Sequence, residues 1–151
     1  MNIKIVSGES MAGKIFNISF DGYWRLKNIS GVPSESGIYC VYTCSYNSTA
    51  KKITLKKLIY IGESENVNER LSNHEKLEEW KTYLNGSETL CFSFGAVDED
   101  YRERCEAALI NYHNPPVNTE YTDNFPYDKT QLNLYGKRKF LTDEFEVDRT
   151  N

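Results

Sequence analysis

Gly37-Ile38-Tyr39-Cys40-Val41-Tyr42-Thr43 and Leu58-Ile59-Tyr60-Ile61-Gly62 are the two stretches on which the reading of this chain turns. Both are rich in β-branched and aromatic residues, the side chains that fit a pleated, half-buried surface. The polar run Asn47-Ser48-Thr49 lies between them, so the economical interpretation is an antiparallel hairpin. Strand side chains alternate between faces. Tyr39 then projects opposite to Ile38 and Cys40, and Tyr60 opposite to Ile59 and Ile61. Both tyrosines can share a polar face while the aliphatic residues enter the core.

Upstream, Lys14-Ile15-Phe16-Asn17-Ile18-Ser19-Phe20 alternates apolar with polar residues and reads as a strand, with Asp21-Gly22 as a tight turn. Gly31-Val32-Pro33-Ser34 reads as a loop. Downstream, Asn66 and Glu69 form a capping pair, and Val67, Leu71, Leu77, Trp80 and Leu84 recur at helical spacing. One helix over 66–84 is therefore expected. Arg70 and His74 would stand one turn apart on one of its faces, although His74 also adjoins the apolar stripe, where a structural histidine is the alternative.

Thr89-Leu90-Cys91-Phe92-Ser93-Phe94 is the next strand, ended by Gly95. Asp98 can cap a helix whose stripe is Tyr101, Cys105, Ala108, Leu109 and Tyr112, and Pro115-Pro116 enforces its end. Glu106 falls beside that stripe. An acid so close to a buried face is costly unless it is paired or bound to a metal. Beyond Thr119 the chain is loop-like, with one strand expected near Gln131 to Tyr135 and a frayed polar tail over the last ten residues.

At 151 residues the chain suits one domain. With 39% hydrophobic and 26% charged residues it has an ordinary globular composition. No stretch approaches the ~20 apolar residues that cross a bilayer, and the N-terminus lacks a signal peptide's apolar run. A cytoplasmic location is expected, which leaves the sequons at Asn17, Asn28 and Asn47 uninformative. Cys40, Cys44, Cys91 and Cys105 sit in apolar contexts and read as free buried thiols. Their spacing, with only His74 and His113 available, does not suit a structural zinc. A net charge of -4 argues against a protein that coats nucleic acid nonspecifically. Even so, Lys51, Lys52, Lys56 and Lys57 crowd one segment and Lys137-Arg138-Lys139 another. These clusters are either solvated charge runs or two edges of a nucleic-acid groove.

The ordered set of Gly37-Ile38-Tyr39, Tyr60-Ile61-Gly62, Arg70, His74, Glu106 and Asn118 resembles the GIY-YIG nuclease superfamily, which is named for the two tripeptides. The resemblance spans roughly residues 36–119. It implies an α+β fold with a small three-stranded antiparallel sheet flanked by helices, here carrying an N-terminal extension (1–35) and a C-terminal one (120–151) on a 36–119 core. It also implies a metal-dependent endonuclease with Mg²⁺ (or Mn²⁺) held by Glu106. Tyr39 would contact the attacking water, although a phenol's pKa of about 10 must be lowered for that task. His74 would accept or relay the proton, with Tyr60 bonding within the same pocket. Arg70 would hold phosphate oxygens, and Asn118 would brace the metal-side network or the pocket wall.

Two features depart from the family pattern. The interval between the tripeptides is longer than in compact members and carries the lysine cluster. Glu63-Ser64 stands where many relatives have a lysine. The implied substrate is nucleic acid, with double-stranded DNA first. The alternatives are a noncatalytic nucleic-acid or protein-binding module on the same fold, or a nuclease for RNA or branched DNA.

Overall fold

The computed structural model describes residues 13–150. The signal-peptide reading of Met1 to Gly8 and the first part of the N-terminal extension lie outside them. Six strands form one mixed sheet in the order β3-β2-β4-β1-β5-β6. In chain order these are β1 (Lys14–Arg25), β2 (Gly37–Asn47), β3 (Lys52–Ser64), β4 (Thr89–Ala96), β5 (Thr130–Gly136) and β6 (Glu144–Val147). Among the described residues three α-helices accompany them, α1 (Val67–Ser72), α2 (Leu77–Lys81) and α3 (Arg102–His113), together with a 3-10 helix over Leu26–Gly31.

The expected β2–β3 hairpin is present, with Tyr39 opposite Gly62 and Val41 opposite Tyr60. Alternation sorts β2 as anticipated. Ile38, Cys40 and Tyr42 join α3 residues Cys105, Ala108 and Leu109 in one core. Tyr39 and Val41 face the other way, into a second core with Ile59, Phe92, Leu71 and Trp80. The sheet is thus the middle layer, between α3 on one side and α1–α2 on the other. The face shared by the tyrosines is apolar rather than polar, and Tyr39 is itself fully buried.

The sheet is twice the expected three strands. β1 joins β4 antiparallel and β5 parallel, and β6 completes the edge. The supposed frayed tail holds β6 because Phe145 and Val147 alternate with exposed acids and bury against the same core as Phe16 and Leu132. Asp21-Gly22 is not a turn. The strand runs through it, with a register shift between Gly22 and Trp24 absorbing the irregularity.

The single helix expected over 66–84 is broken into α1 and α2. Asn66 caps α1 as anticipated, accepting from the Glu69 N–H at 3.0 Å. Asn73 leaves the helical region, and the His74 ring accepts the Lys76 N–H at 3.1 Å. This local side-chain bond replaces a helical one. Asp98 does not cap α3 directly; it closes a turn by accepting the Asp100 N–H, and Tyr101 takes the capping position.

Of the four cysteines, Cys40 and Cys105 are free and buried as expected, whereas Cys44 and Cys91 form a disulfide. Tyr42 pairs with Cys91 and Cys44 with Thr89 across β2–β4, so the two thiols are diagonal neighbours on one face. Their Cα atoms are 6.2 Å apart, within disulfide reach. No helix among the described residues is long and apolar enough to cross a membrane.

Candidate active site

The site forms where the two layers meet at the open edge of β3. α3 brings Glu106 from one side, and the α1–α2 segment brings Arg70 and His74 from the other. A pocket of about 280 Å³ opens there, lined by Tyr60, Arg70, Glu75, Glu106 and Asn118, among others. Tyr39 and His74 sit behind Tyr60 rather than on the pocket wall.

Two glycines let the strands carry their tyrosines. A Cβ on Gly62 would run into the ring and hydroxyl of Tyr39, and one on Gly37 into the Gly95 carbonyl and the Phe94 ring. The Tyr39 ring therefore lies flat over the Gly62 backbone, where only glycine fits. Its hydroxyl then reaches His74 Nε2 at 2.7 Å. Tyr39 and Tyr60 are 6.2 Å apart by ring centroid, and Trp80 packs against both His74 (4.3 Å) and Tyr60 (5.4 Å).

The direction of the Tyr39–His74 bond follows from the other ring nitrogen. His74 Nδ1 accepts the Lys76 N–H, so the proton of the neutral ring resides on Nε2, which donates to the Tyr39 oxygen. Burial and the nearby Arg70 charge lower the His74 pKa from 6.5 to about 4, which keeps the ring neutral near pH 7. In this state His74 donates to Tyr39 and cannot take its proton, which reverses the relay role expected from the sequence. Burial pushes the Tyr39 phenol well above its usual value, and that of Tyr60 up to about 12.

Arg70 is held by Glu75 through two parallel bonds of 2.7 Å each. The break separates the expected i, i+4 pair: Arg70 stays on α1 and lines the pocket, whereas His74 lies beyond the helix and off the pocket wall. Asn118 is bonded to the open edge of β3. Its side chain accepts the Ile61 N–H and donates to the Ile61 carbonyl, both at 2.9 Å, while the Val117 N–H bonds the Ile59 carbonyl at 3.0 Å. The amide thus stands in for a neighbouring strand on the open edge of β3.

Glu106 makes no hydrogen bond or ion pair among the described residues. Burial, followed by Glu63, Glu120 and Glu103, raises its carboxyl from 4.5 to about 8. Arg102, which could relieve it, is engaged by Glu63 and Ser36. No group of three or more His, Cys, Asp or Glu residues suited to a metal exists among the described residues. A magnesium-type ion does not require such a cage, since it keeps several waters and takes one or two carboxylates plus substrate phosphate. A half-buried, unpartnered carboxylate among other acids, open to a polar pocket, fits that need.

The model of the GIY-YIG catalytic domain matches residues 36–121. The chain belongs to the GIY-YIG family. No curated protein and no solved structure matches it. The family in general comprises nucleases, whose substrate is nucleic acid and whose activity typically depends on a divalent metal.

The lysine clusters lie elsewhere on this GIY-YIG chain. None of Lys51, Lys52, Lys56, Lys57, Lys137, Arg138 and Lys139 lines the pocket, and Arg138 is occupied by Asp143 at 2.7 Å. Glu75 and Trp80 escaped the sequence reading. Glu75 falls at no helical spacing from Arg70, and Trp80 registered only as one more member of an apolar stripe.

Proposed function

We propose that this GIY-YIG protein is a metal-dependent endonuclease that hydrolyses DNA phosphodiester bonds. The observation that carries the proposal is the confrontation, across one pocket, of an unpartnered carboxylate with a forked cation. Glu106 and Arg70 both line it, and Tyr60 lies between the elements that carry them.

Glu106 would hold the divalent ion, Mg²⁺ or Mn²⁺, which when bound polarises the scissile phosphate. The chain's own residues supply the rest. Arg70 offers planar, permanently charged donors to phosphate oxygens that gain charge in the transition state. His74 steadies the Tyr39 oxygen through Nε2–H, and because its Nδ1 is taken by the Lys76 N–H it leaves the phenol protonated. Burial holds the Tyr39 phenol protonated, so Tyr39 acts as a positioning residue behind Tyr60 rather than as general base, and Tyr60 supplies the hydroxyl exposed to the pocket, where it can orient the attacking water. Asn118 fixes the β3 edge that carries Tyr60.

Nicking of supercoiled plasmid tests the proposal. Wild type nicks with Mg²⁺ or Mn²⁺ and is silent with chelator. Glu106→Gln and Tyr39→Phe each lower the rate by about 10²-fold or more, the scale on which misplaced reacting groups lose rate, while retaining the wild-type circular dichroism spectrum. Undiminished nicking by either variant refutes the assignment. Binding of duplex without nicking in either metal would favour a noncatalytic module instead.

A further inference from the structure

Away from the catalytic pocket, the two lysine clusters converge. Lys52 and Lys139 line one pocket of about 320 Å³ with Tyr23, Ile53, Thr54 and Leu55. The loop that carries Lys139 is firmly built. The Lys139 N–H donates to the Tyr23 hydroxyl at 3.0 Å, and the Tyr42 hydroxyl donates to the Lys139 carbonyl at 2.8 Å. The next residue, Phe140, has φ 67°, a conformation unfavourable for a non-glycine residue. The residue is 46% exposed, with its ring centroid 6.3 Å from that of Tyr42 and 5.4 Å from Lys139 Nζ.

The charge here is unusually free. From 36 to 62 the sequence contains four lysines and no Asp or Glu, and from 129 to 142 it again has no acid. Seven other cations, Arg70 and Arg102 among them, are paired with carboxylates. Lys51, Lys52, Lys56, Lys57, Lys137 and Lys139 make no such pair among the described residues. On a protein of net charge -4, this is a surface that a polyanion can approach.

We propose that Lys52, Lys139, Tyr23 and Phe140 form a second, noncatalytic site that takes an unpaired strand of the nucleic-acid substrate. The lysines would engage its phosphates and the Phe140 ring would stack on a base. An exposed ring beside cations suits unpaired bases, whose faces are open, rather than duplex, whose bases are already stacked. The site also has a defined relation to the catalytic pocket. Tyr60 and Lys52 share β3, the edge strand. Their separation is roughly 20–25 Å at about 3.3 Å per residue, allowing for two bulges. This corresponds to roughly six to seven nucleotides at the B-form rise, and fewer when the strand is extended. The inference rests on the nuclease reading for its substrate and narrows that substrate to DNA in which a duplex continues into a single strand.

The test is fluorescence anisotropy in chelator, comparing a blunt duplex with the same duplex carrying a single-stranded overhang of about ten nucleotides, long enough to span this distance. Wild type is expected to bind the overhang substrate at least about fivefold more tightly, the lower end for one stacked base. Phe140→Gly removes the ring and relieves the backbone, and should abolish the preference while leaving blunt-duplex binding unchanged. Phe140→Trp should retain it. Lys52→Ala with Lys139→Ala should reduce the log–log salt slope on the overhang substrate by about 1.4. Equal wild-type affinity for both substrates overturns the proposal. So does an equal loss on both in Phe140→Gly, or lysine variants that change solubility alone, as edge-protecting lysines would. Because no cleavage is read, an overhang preference without plasmid nicking would refute the proposed function and leave this site standing. Nicking without the preference would do the reverse.

Discussion

Glu106 is a residue whose proposed chemical use conflicts with the stability of the protein. With its carboxyl raised from 4.5 to about 8, the folded chain holds that proton more tightly than the unfolded one. The stabilisation is full below pH 4.5 and is lost as pH rises from 4.5 to 8. At pH 7 the unfolded chain carries Glu106 ionised while the folded chain must take up most of a proton there, a net cost, so Glu106→Gln should stabilise the protein by about 1–2 kcal/mol, a value discounted for solvent in the pocket. Urea midpoints of the two proteins measure this, and the gain should shrink at pH 5. A loss of stability at pH 7 would contradict an unpartnered carboxylate. Neutral His74 has the opposite sign: its contribution is intact above 6.5 and lost as pH falls toward about 4. That contribution is common to both proteins and cancels in the comparison. Glu75 bears on the same pocket differently. It occupies both arms of Arg70 at the position where a phosphate would bind. Glu75→Gln should therefore tighten binding of a phosphodiester substrate by about two- to fivefold, the scale of an exposed ion pair, read as Kd in chelator. Unchanged affinity would mean that Arg70 does not meet phosphate.

At the scale of elements, the β3 edge must hold Tyr60 still while Tyr39 lies over Gly62. Gly62→Ala should displace the Tyr39 ring and cost about 1–3 kcal/mol by overpacking, with nicking reduced as the Tyr39–His74 bond is lost. Retained activity in that variant would show that the ring position is dispensable. Asn118→Ala leaves the Ile61 N–H and carbonyl without their side-chain partner. A cost of about 1–3 kcal/mol is expected, together with a fall in kcat larger than any change in KM, because the residue positions the strand rather than binding substrate. These elements were legible in different degrees. The β2–β3 hairpin, β4, the body of α3 and the Asn66 cap could be read because alternation, helical spacing and capping chemistry are local properties. The break after Ser72 could not, because it depends on His74 bonding Lys76 and Tyr39, the second of these far off in sequence. The Cys44–Cys91 bond and the Lys52–Lys139 pocket likewise depend on strand register and on where the C-terminal loop returns. The six candidate site residues were visible as an ordered set. That Tyr39 is buried behind Tyr60, and that His74 donates rather than accepts, needed the geometry.

On the scale of the whole molecule, the family match covers residues 36–121, yet the sheet does not end there. β1 is inserted between β4 and β5, and Phe16, Ile18, Phe20, Leu132, Leu134 and Phe145 share one core with Ile38, Ile61 and Leu109. Removing residues 13–35 and 122–150 would strip β4 of its neighbour and expose one face of α3. Each large side chain lost from such a core costs about 2–5 kcal/mol, against a total stability of about 5–15 kcal/mol for a domain. The Cys44–Cys91 bond remains within the fragment and closes a loop of separation 47. By the chain-entropy account it contributes about 4 kcal/mol, which does not offset six such losses. A fragment of residues 36–121 should accordingly show no cooperative urea transition and little dispersion of its amide resonances, while the full chain unfolds in one step reported identically by fluorescence and circular dichroism. Reducing the full chain should lower its urea midpoint without splitting that step. A fragment that melts cooperatively would mean that the 36–121 core is autonomous and that the outer strands are accessories to it.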